Sequence, residues 1–438
     1  MSKLYITDFG ARPGELCTAS IQKALDASTA AGGETVVVPR GTFYTGSLNL
    51  GTSSLELEKG AVLMGSANID DYAPIGYDHA EMGNVRSLIY AVEAEGIRVY
   101  GEGTIDFNGD SFFTPGDFVV SPSKVPMTQE QIEESTLRIQ RRPNQPVIFL
   151  RSKNVKVEGV TLRNSPCWTL TFCECQNVSV RNLLIDNSLS IPNNDGIHIT
   201  GSRDVIISGC HITAGDDCIA VTGITDWDVP SENIVVSDCI LKSCSKAIVI
   251  GYMHSIVRNV LVTNCVIRES NRGFTIQTSS QTSLVEHVRV SNMRIDTKIR
   301  AGNWWGNGEP IAVFATFHNL GNRQEIPQRN WPINIRDVHF ENISCTAENF
   351  IGVVGEGNNM EDVSFSNISM QLKESKNLAI KGRIVDIAPS PNPPEAPDDD
   401  EEYWLLMKDV DGVTFNNVTV PDFRGKKPKA HIVPPQKH

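Results

Sequence analysis

No stretch of this chain approaches the ~18 consecutive apolar residues that a membrane-spanning helix needs, so no transmembrane helix is expected. The N-terminus lacks the apolar core and small-residue cleavage site of a signal peptide. Met1-Ser2-Lys3-Leu4-Tyr5 runs straight into a strand-like segment, and a cytoplasmic location is the expectation. Basic residues are in deficit, 39 Lys and Arg against 52 Asp and Glu, for a formal net charge of −13. That deficit argues against nucleic acid and anionic membrane as partners. It also gives no global attraction for an acidic saccharide, which would need a local basic pocket. With 40% apolar and 21% charged residues the chain reads as globular rather than disordered. Its 438 residues would suggest two or three ordinary domains, a limit that a repeat architecture escapes.

Helical patterns are scarce. The clearest runs from about Ser20 to Ala31, with Ile21, Ala24, Leu25 and Ala27 at helix spacing before Gly32-Gly33 ends it. A strand, Thr35 to Val38, and a turn follow. One amphipathic helix ahead of a long β-rich region suggests a cap over the open end of a solenoid core. Residues 1–50 are thus expected to hold the cap and first strands, and 51–438 the solenoid itself.

What the chain has in abundance is a repeat. Gly96-Ile97-Arg98-Val99, Asn154-Val155-Lys156-Val157, Asn177-Val178-Ser179-Val180 and Asp204-Val205-Ile206-Ile207 are early copies. Asn233-Ile234, Asn259-Val260, His287-Val288, Asp337-Val338, Asp362-Val363 and Gly412-Val413 open later ones. From Asn154 the first steps are 23, 27, 29, 26 and 28 residues, while two later ones are 50, which suggests copies masked by loops. Short β-branched strands at this period predict an all-β right-handed parallel β-helix.

The residue five after each first apolar position is itself apolar: Val160, Leu183, Cys210, Cys239, Cys265, Met293, Ile343, Ile368 and Val418. This is the pattern of an inward ladder stacked from coil to coil. Three cysteines fall on it and read as small buried hydrophobes. The ten cysteines are therefore expected to be reduced, in keeping with the location inferred above. The residue before each ladder position is often Asn (182, 264, 292, 342, 367, 417), which tolerates the left-handed backbone of a tight bend. Insertions at about 108–146, 296–332 and 388–402 interrupt the coils. In solenoids such loops gather on one face and frame a groove. The acidic run Asp398–Glu402 reads as a solvated loop rather than a cation site.

The chemistry concentrates between Asn193 and Gln277. Asn193-Asn194-Asp195-Gly196 precedes Gly215-Asp216-Asp217-Cys218, so Asp195 and Asp216 lie about one repeat apart and would stack on one face. Clustered carboxylates push each other's pKa values apart, so one holds a proton while its neighbour stays ionised. That is the equipment for general acid/base hydrolysis of a glycosidic bond. The same strings also make turns, which is the competing account of Asp195 and Asp217.

Nearby, Asn193 and His198 are candidates for lining the groove, while His254 reads as an ordinary turn residue. Trp304-Trp305, among Gly302, Gly306 and Gly308, suits a loop that stacks a sugar, with one ring against substrate and one plugging the fold. Glu309 is a candidate hydroxyl ligand. We expect an oligosaccharide partner, no metal and no cofactor. Oligomeric state is left open.

Taken together and in order, these residues resemble glycoside hydrolase family 28, the polygalacturonases. The likeness includes Asp8-Phe9-Gly10-Ala11, Gly32-Gly33 before the Val36–Pro39 strand, and Gly101-Glu102-Gly103-Thr104-Ile105-Asp106. Asn164-Ser165-Pro166-Cys167-Trp168-Thr169-Leu170, Asn193–Gly196 and Gly215–Cys218 complete it. The resemblance implies cleavage with inversion, with Asp216 as general acid and Asp195 and Asp217 as the water-activating pair.

Two family elements are missing. Where the family has Gly-His-Gly, this chain has Ser245-Lys246-Ala247, and where it has Arg-Ile-Lys, gripping a uronate carboxylate, this chain has Thr275-Ile276-Gln277. Lys246, Thr275 and Gln277 are thus candidate substrate contacts with altered chemistry, while Arg272, three residues before Thr275, is not placed by the motif. Three readings stand open: an exo-type glycosidase retuned for another, neutral sugar; an exo-polygalacturonase with Lys246 holding the carboxylate; and a carbohydrate-binding β-helix without catalysis.

Overall fold

The computed structural model describes residues 3–79, 81–119, 127–223, 229–317, 330–377 and 402–435. These residues form a right-handed parallel β-helix. One sheet of twelve parallel strands runs the length of the molecule, and twenty-one further strands make the remaining faces. The repeat seen in the sequence is the rung spacing. Val155 pairs with Val178, then in turn come Val205, Ile234, Val260, Val288, Val338, Val363 and Val413. Each apolar side chain stacks on its copy from the next coil, and each buried Val or Ile contributes ~1.5–3 kcal/mol of hydrophobic stabilisation.

The bends follow from residue chemistry. Asn182, Asn264, Asn292, Asn342, Asn367 and Asn417 all have φ between 51° and 57°. Their side chains bond from coil to coil, as in Asn367 Nδ2 to Asn342 Oδ1 at 3.1 Å and Asn417 Nδ2 to Asn367 Oδ1 at 2.7 Å. The next ladder position is buried in every case but Val418, which is partly buried near the C-terminal end. Cys210, Cys239 and Cys265 are in the core, and all ten cysteines are free and buried.

One expectation needs correction. The 50-residue steps hide no further copy: Val288 pairs directly with Val338, and Val363 directly with Val413. Each is one coil with a long insertion, because a loop can lengthen without disturbing the rung it leaves and rejoins. The first strands expected within residues 1–50 join the same stack. Lys3–Tyr5 pairs with Thr35–Val38, which pairs with Ser54–Leu57. The helix Thr18–Ala30 lies within this first coil and buries Ile21, Ala24 and Leu25 against the core. Among the described residues no helix is long and apolar enough to cross a membrane.

The insertion at 108–146 contains the helix Gln129–Glu133, started by a capping box in which Thr128 and Gln131 bond reciprocally. Within the insertion at 296–332, residues 318–329 lie outside the described residues, as does the acidic run apart from Glu402.

Candidate active site

The twelve-stranded sheet positions the site. Ile197–Thr200, Ile219–Thr222, Lys246–Gly251 and Arg272–Thr278 are consecutive strands, with Ile197 opposite Ile219 and Ile219 opposite Ile248. Two residues upstream of each lie Asp195, Asp217 and Lys246. Lys246 is itself opposite Arg272. The true rung-mate of Asp195 is therefore Asp217, not Asp216, which stands one residue earlier, beside Asn194.

Two glycines let these turns close. A Cβ at Gly196 would come within 2.5 Å of the Cys218 carbonyl, and one at Gly215 within 2.5 Å of the Ile191 carbonyl. Gly196 N–H donates to the Asp217 carbonyl at 2.8 Å, and Cys218 N–H to the Lys246 carbonyl at 3.2 Å. Buried Asn194 locks the Asp216 turn to the coil before it. Its Oδ1 accepts from Gly215 N–H at 2.7 Å and Asp216 N–H at 3.1 Å, while its Nδ2 donates to the Ser188 carbonyl at 2.7 Å.

The three carboxylates and Lys246 line an open pocket of ≈ 600 Å³, with Glu81, Asn193, His198, Trp168, Tyr252 and Trp305 also on its walls. Ala220, Thr222 and Val249 complete it. Burial, then repulsion from Asp195 and Asp217, raises the Asp216 carboxyl well above the usual carboxylate range. Burial also raises Asp195, with further repulsion from Asp217 and Glu81. Asp217 has a counter-charge at hand: Lys246 Nζ is 3.9 Å from its Oδ1, and Lys246 N–H donates to the same oxygen at 3.2 Å. Asn193 Nδ2 reaches Asp216 Oδ2 at 3.4 Å, and Arg142 fixes Asn193 through its Oδ1 at 3.1 Å. The pocket thus sets a carboxyl inclined to hold its proton beside one with an ammonium partner, which is the division an acid and a base require.

His198 lies on the outer face of its strand and is buried. Its ring stacks on Trp168 at 3.7 Å and 25°, its Nε2 is 3.1 Å from the Thr222 hydroxyl, and its Nδ1 is 3.3 Å from Asp195 Oδ2. Burial lowers its pKa to about 3, so the ring is neutral.

The other sequence candidates divide. Trp305 lines the pocket. Trp304 is buried and donates its Nε1–H to the Glu134 carbonyl at 2.6 Å, so it pins the loop to the 108–146 insertion. Glu309 is no hydroxyl ligand. It is wholly buried in an ion pair with Arg272, Nη2 to Oε1 at 3.1 Å and Nε to Oε2 at 3.2 Å, and Oε2 also accepts Asn307 N–H at 2.7 Å. Thr275 and Gln277 occupy the outer face, opposite Val249 and Gly251. Both are completely buried outside the pocket, and neither the Thr275 hydroxyl nor the Gln277 amide has a hydrogen-bond partner. The predicted contact of these two with substrate therefore fails in this structure: the residues one coil beyond Lys246 are covered. His254 lies in a turn, as expected, and is buried there with its Nδ1 2.6 Å from the Thr282 hydroxyl.

Sequence reasoning missed Glu81, Trp168, Ala220, Thr222, Val249 and Tyr252 as pocket residues. Ala220 and Val249 were reachable by counting rungs from His198. Trp168 lies in the Asn164–Leu170 string but carried no chemical signal. Glu81 had none, because it follows the strand Pro74–His79 of a small antiparallel hairpin outside the repeat. That hairpin is held by His79, whose Nδ1 accepts from Glu81 N–H and Met82 N–H, both at 3.2 Å.

Among solved structures, the chain is similar to a family 28 exopolygalacturonase of Yersinia enterocolitica. The TM-score is 0.71 at 21% identity, covering 99% of this chain and 78% of that one. An exopolygalacturonase of Thermotoga maritima gives 0.65 at 24% identity, covering 84% and 87%. These likenesses establish the fold. By sequence, a probable polygalacturonase of Vitis vinifera is 27% identical over 337 residues, 72% of this chain and 63% of the relative. The chain thus spans less than two thirds of that relative's length. The pattern that defines glycosyl hydrolases family 28 extends over residues 29–383, from the first helix past the last pocket residue, and the chain belongs to that family.

Proposed function

We propose that the protein is an inverting glycoside hydrolase that removes a neutral sugar from the end of a short pectin-related oligosaccharide. The observation that carries this reading is that one pocket holds a buried carboxyl beside another that has an ammonium partner. Asp216 is driven towards its protonated form by burial and by two carboxylate neighbours, while Asp217 has Lys246 beside it. Asp216 gives its proton to the glycosidic oxygen as the C1–O bond breaks. A water held by Asp195 and Asp217 attacks C1 from the opposite face and passes its proton to that pair, which inverts the anomeric centre.

The exo mode rests on the pocket walls. The hairpin carrying Glu81, the turn carrying Tyr252 and the loop carrying Trp305 enclose the site on several sides, which favours a chain end over the middle of a polymer. The neutral sugar rests on charge. Four carboxylates line the pocket against the single ammonium of Lys246, which is already beside Asp217. A uronate would lose its hydration there without a cation of its own, a cost of several kcal/mol. Val249 and Ala220 offer apolar surface instead.

Lys246 also supports a second reading, in which it turns to hold a galacturonate carboxylate, as the names of the relatives would suggest. One comparison separates the two. Wild type and Asp216→Asn are offered digalacturonate, a set of neutral disaccharides and nitrophenyl glycosides, with the product anomer followed by NMR. The proposal expects neutral substrates to be cleaved with inversion by wild type only. A preference for digalacturonate, abolished by Lys246→Met, overturns the neutral sugar. No cleavage of any substrate leaves a binding protein.

A further inference from the structure

Asp195 and His198 present each other with unsatisfied groups. Asp195 Oδ1 and His198 Nδ1 are both buried without a hydrogen-bond partner, although Nδ1 is only 3.3 Å from Asp195 Oδ2. Burying such groups unpaired is costly, so the arrangement calls for a reason. The neutral ring carries one N–H. In the ionised form that a water-activating role requires, Asp195 would meet a lone pair on Nδ1 unfavourably, so the proton then belongs on Nδ1 and Nε2 accepts from the Thr222 hydroxyl at 3.1 Å. The ring is restrained from turning by its stack on Trp168 at 3.7 Å, and Trp168 by the edge of His79 at 5.1 Å. The donor is thus aimed and held just short of a well-aligned bond. Catalytic hydrogen bonds are often long in an empty site and tighten when substrate enters.

We propose that His198 is the positioning residue of Asp195: its Nδ1–H closes onto the carboxylate in the substrate complex and fixes which oxygen faces the attacking water. This rests on the hydrolytic role of Asp195 given above. The other charged groups facing Asp195 are Asp216, Asp217, Glu81 and Lys246, and those facing His198 are Asp217 and His79. Of the residues packed on Asp195, His198 is a neutral donor, so it can orient the carboxylate without cancelling the charge a base needs.

The test compares His198→Phe, His198→Asn and His198→Gln, with kcat and KM measured across pH. Phe keeps the stack and removes both nitrogens. We expect kcat to fall about 10- to 100-fold, as misplaced catalytic groups do, with KM changing less than about threefold. The acid limb of the profile moves to higher pH, because ionised Asp195 loses a donor. Asn, whose amide nitrogen stands near the Nδ1 position, recovers most of the loss, whereas Gln, which reaches towards the Nε2 position, does not. Equal behaviour of Asn and Gln, or an unmoved acid limb, overturns the proposal. A second readout needs no turnover: the Asp195 carboxyl, titrated by carbon NMR, rises in pKa in His198→Phe and returns in His198→Asn. Failure of that titration sinks the positioning role even in an active enzyme, while an inactive wild type with the expected titration sinks only the hydrolase reading.

Discussion

Asp217 and Lys246 occupy the same rung of adjacent coils, with Nζ 3.9 Å from Asp217 Oδ1 and the Lys246 backbone N–H on that same oxygen at 3.2 Å. Lys246 thus places a cation directly beside one of the three clustered carboxylates. Replacing Lys246 with Met, which keeps the length and backbone donor, leaves Asp217 without its counter-charge. We expect kcat on a neutral substrate to fall about 10²-fold, with the acid limb of the pH profile shifted upward. A steady-state pH series on the two proteins reads both. An unchanged acid limb would show that the Lys246 ammonium does not hold down the neighbouring carboxyls of Asp195 and Asp216.

Asp216 links activity to stability with opposite signs. Its carboxyl is raised in the folded state, so its favourable contribution is complete below the unfolded pKa of ~3.9 and is lost as pH rises through the folded value. At neutral pH the buried carboxylate is a burden. Asp216→Asn is expected to lose turnover by ~10²–10⁴-fold and to melt higher than wild type, with the gap widening from pH 5 to pH 8. Thermal unfolding at several pH values measures this, and a gap that is flat across pH contradicts it.

The tandem tryptophans separate by readout. Trp305→Ala removes a pocket wall and is expected to raise KM about tenfold while leaving the melting temperature near wild type. Trp304→Ala empties a buried site and breaks the bond to the Glu134 carbonyl, and should cost ~3–5 kcal/mol in denaturant unfolding. The reverse pattern would exchange the two roles.

Arg272 and Glu309 form a wholly buried pair beneath the same loop, with Arg272 also 5.0 Å from the Phe314 ring centroid. Breaking such a pair from one side leaves an uncompensated charge and costs ~3–5 kcal/mol. Arg272→Met and Glu309→Gln should each destabilise on that scale, and Arg272→Met with Glu309→Leu together should destabilise less than the sum. Additive losses in urea unfolding would rule out direct coupling.

Much of the fold could be read because a solenoid writes its geometry as a period. Val155, Val178 and Val205 announce their stacking by recurring, and Asn182 or Asn264 announces a left-handed bend by its chemistry. The three aspartates were legible for the same reason, although counting by repeat length paired Asp195 with Asp216 and missed the one-residue shift to Asp217. What escaped lies off the period. Glu81 enters on a hairpin, and the 50-residue steps look like missing rungs because a loop's length says nothing of where it rejoins. Glu309 and Gln277 looked like ligands because a polar side chain near a site resembles one that faces it. Only burial separates the two, and burial depends on loops whose path the sequence does not spell out.

The rung that runs through Asp195, Asp217, Lys246 and Arg272 has an evolutionary corollary. The groups of the pocket are addressed by storey: Asp195, Asp217 and Lys246 belong to successive coils and meet only because no coil intervenes. A whole coil gained or lost before Trp168 or after Glu309 would lengthen or shorten the molecule and leave that address intact. One gained between Asp195 and Asp216 would part Asp195 from Asp217 by a full strand spacing, ~4.8 Å, and one gained between Asp217 and Lys246 would part that carboxylate from its ammonium partner. Length added at either end of the solenoid therefore leaves the pocket untouched, whereas a coil added in the three middle storeys takes it apart.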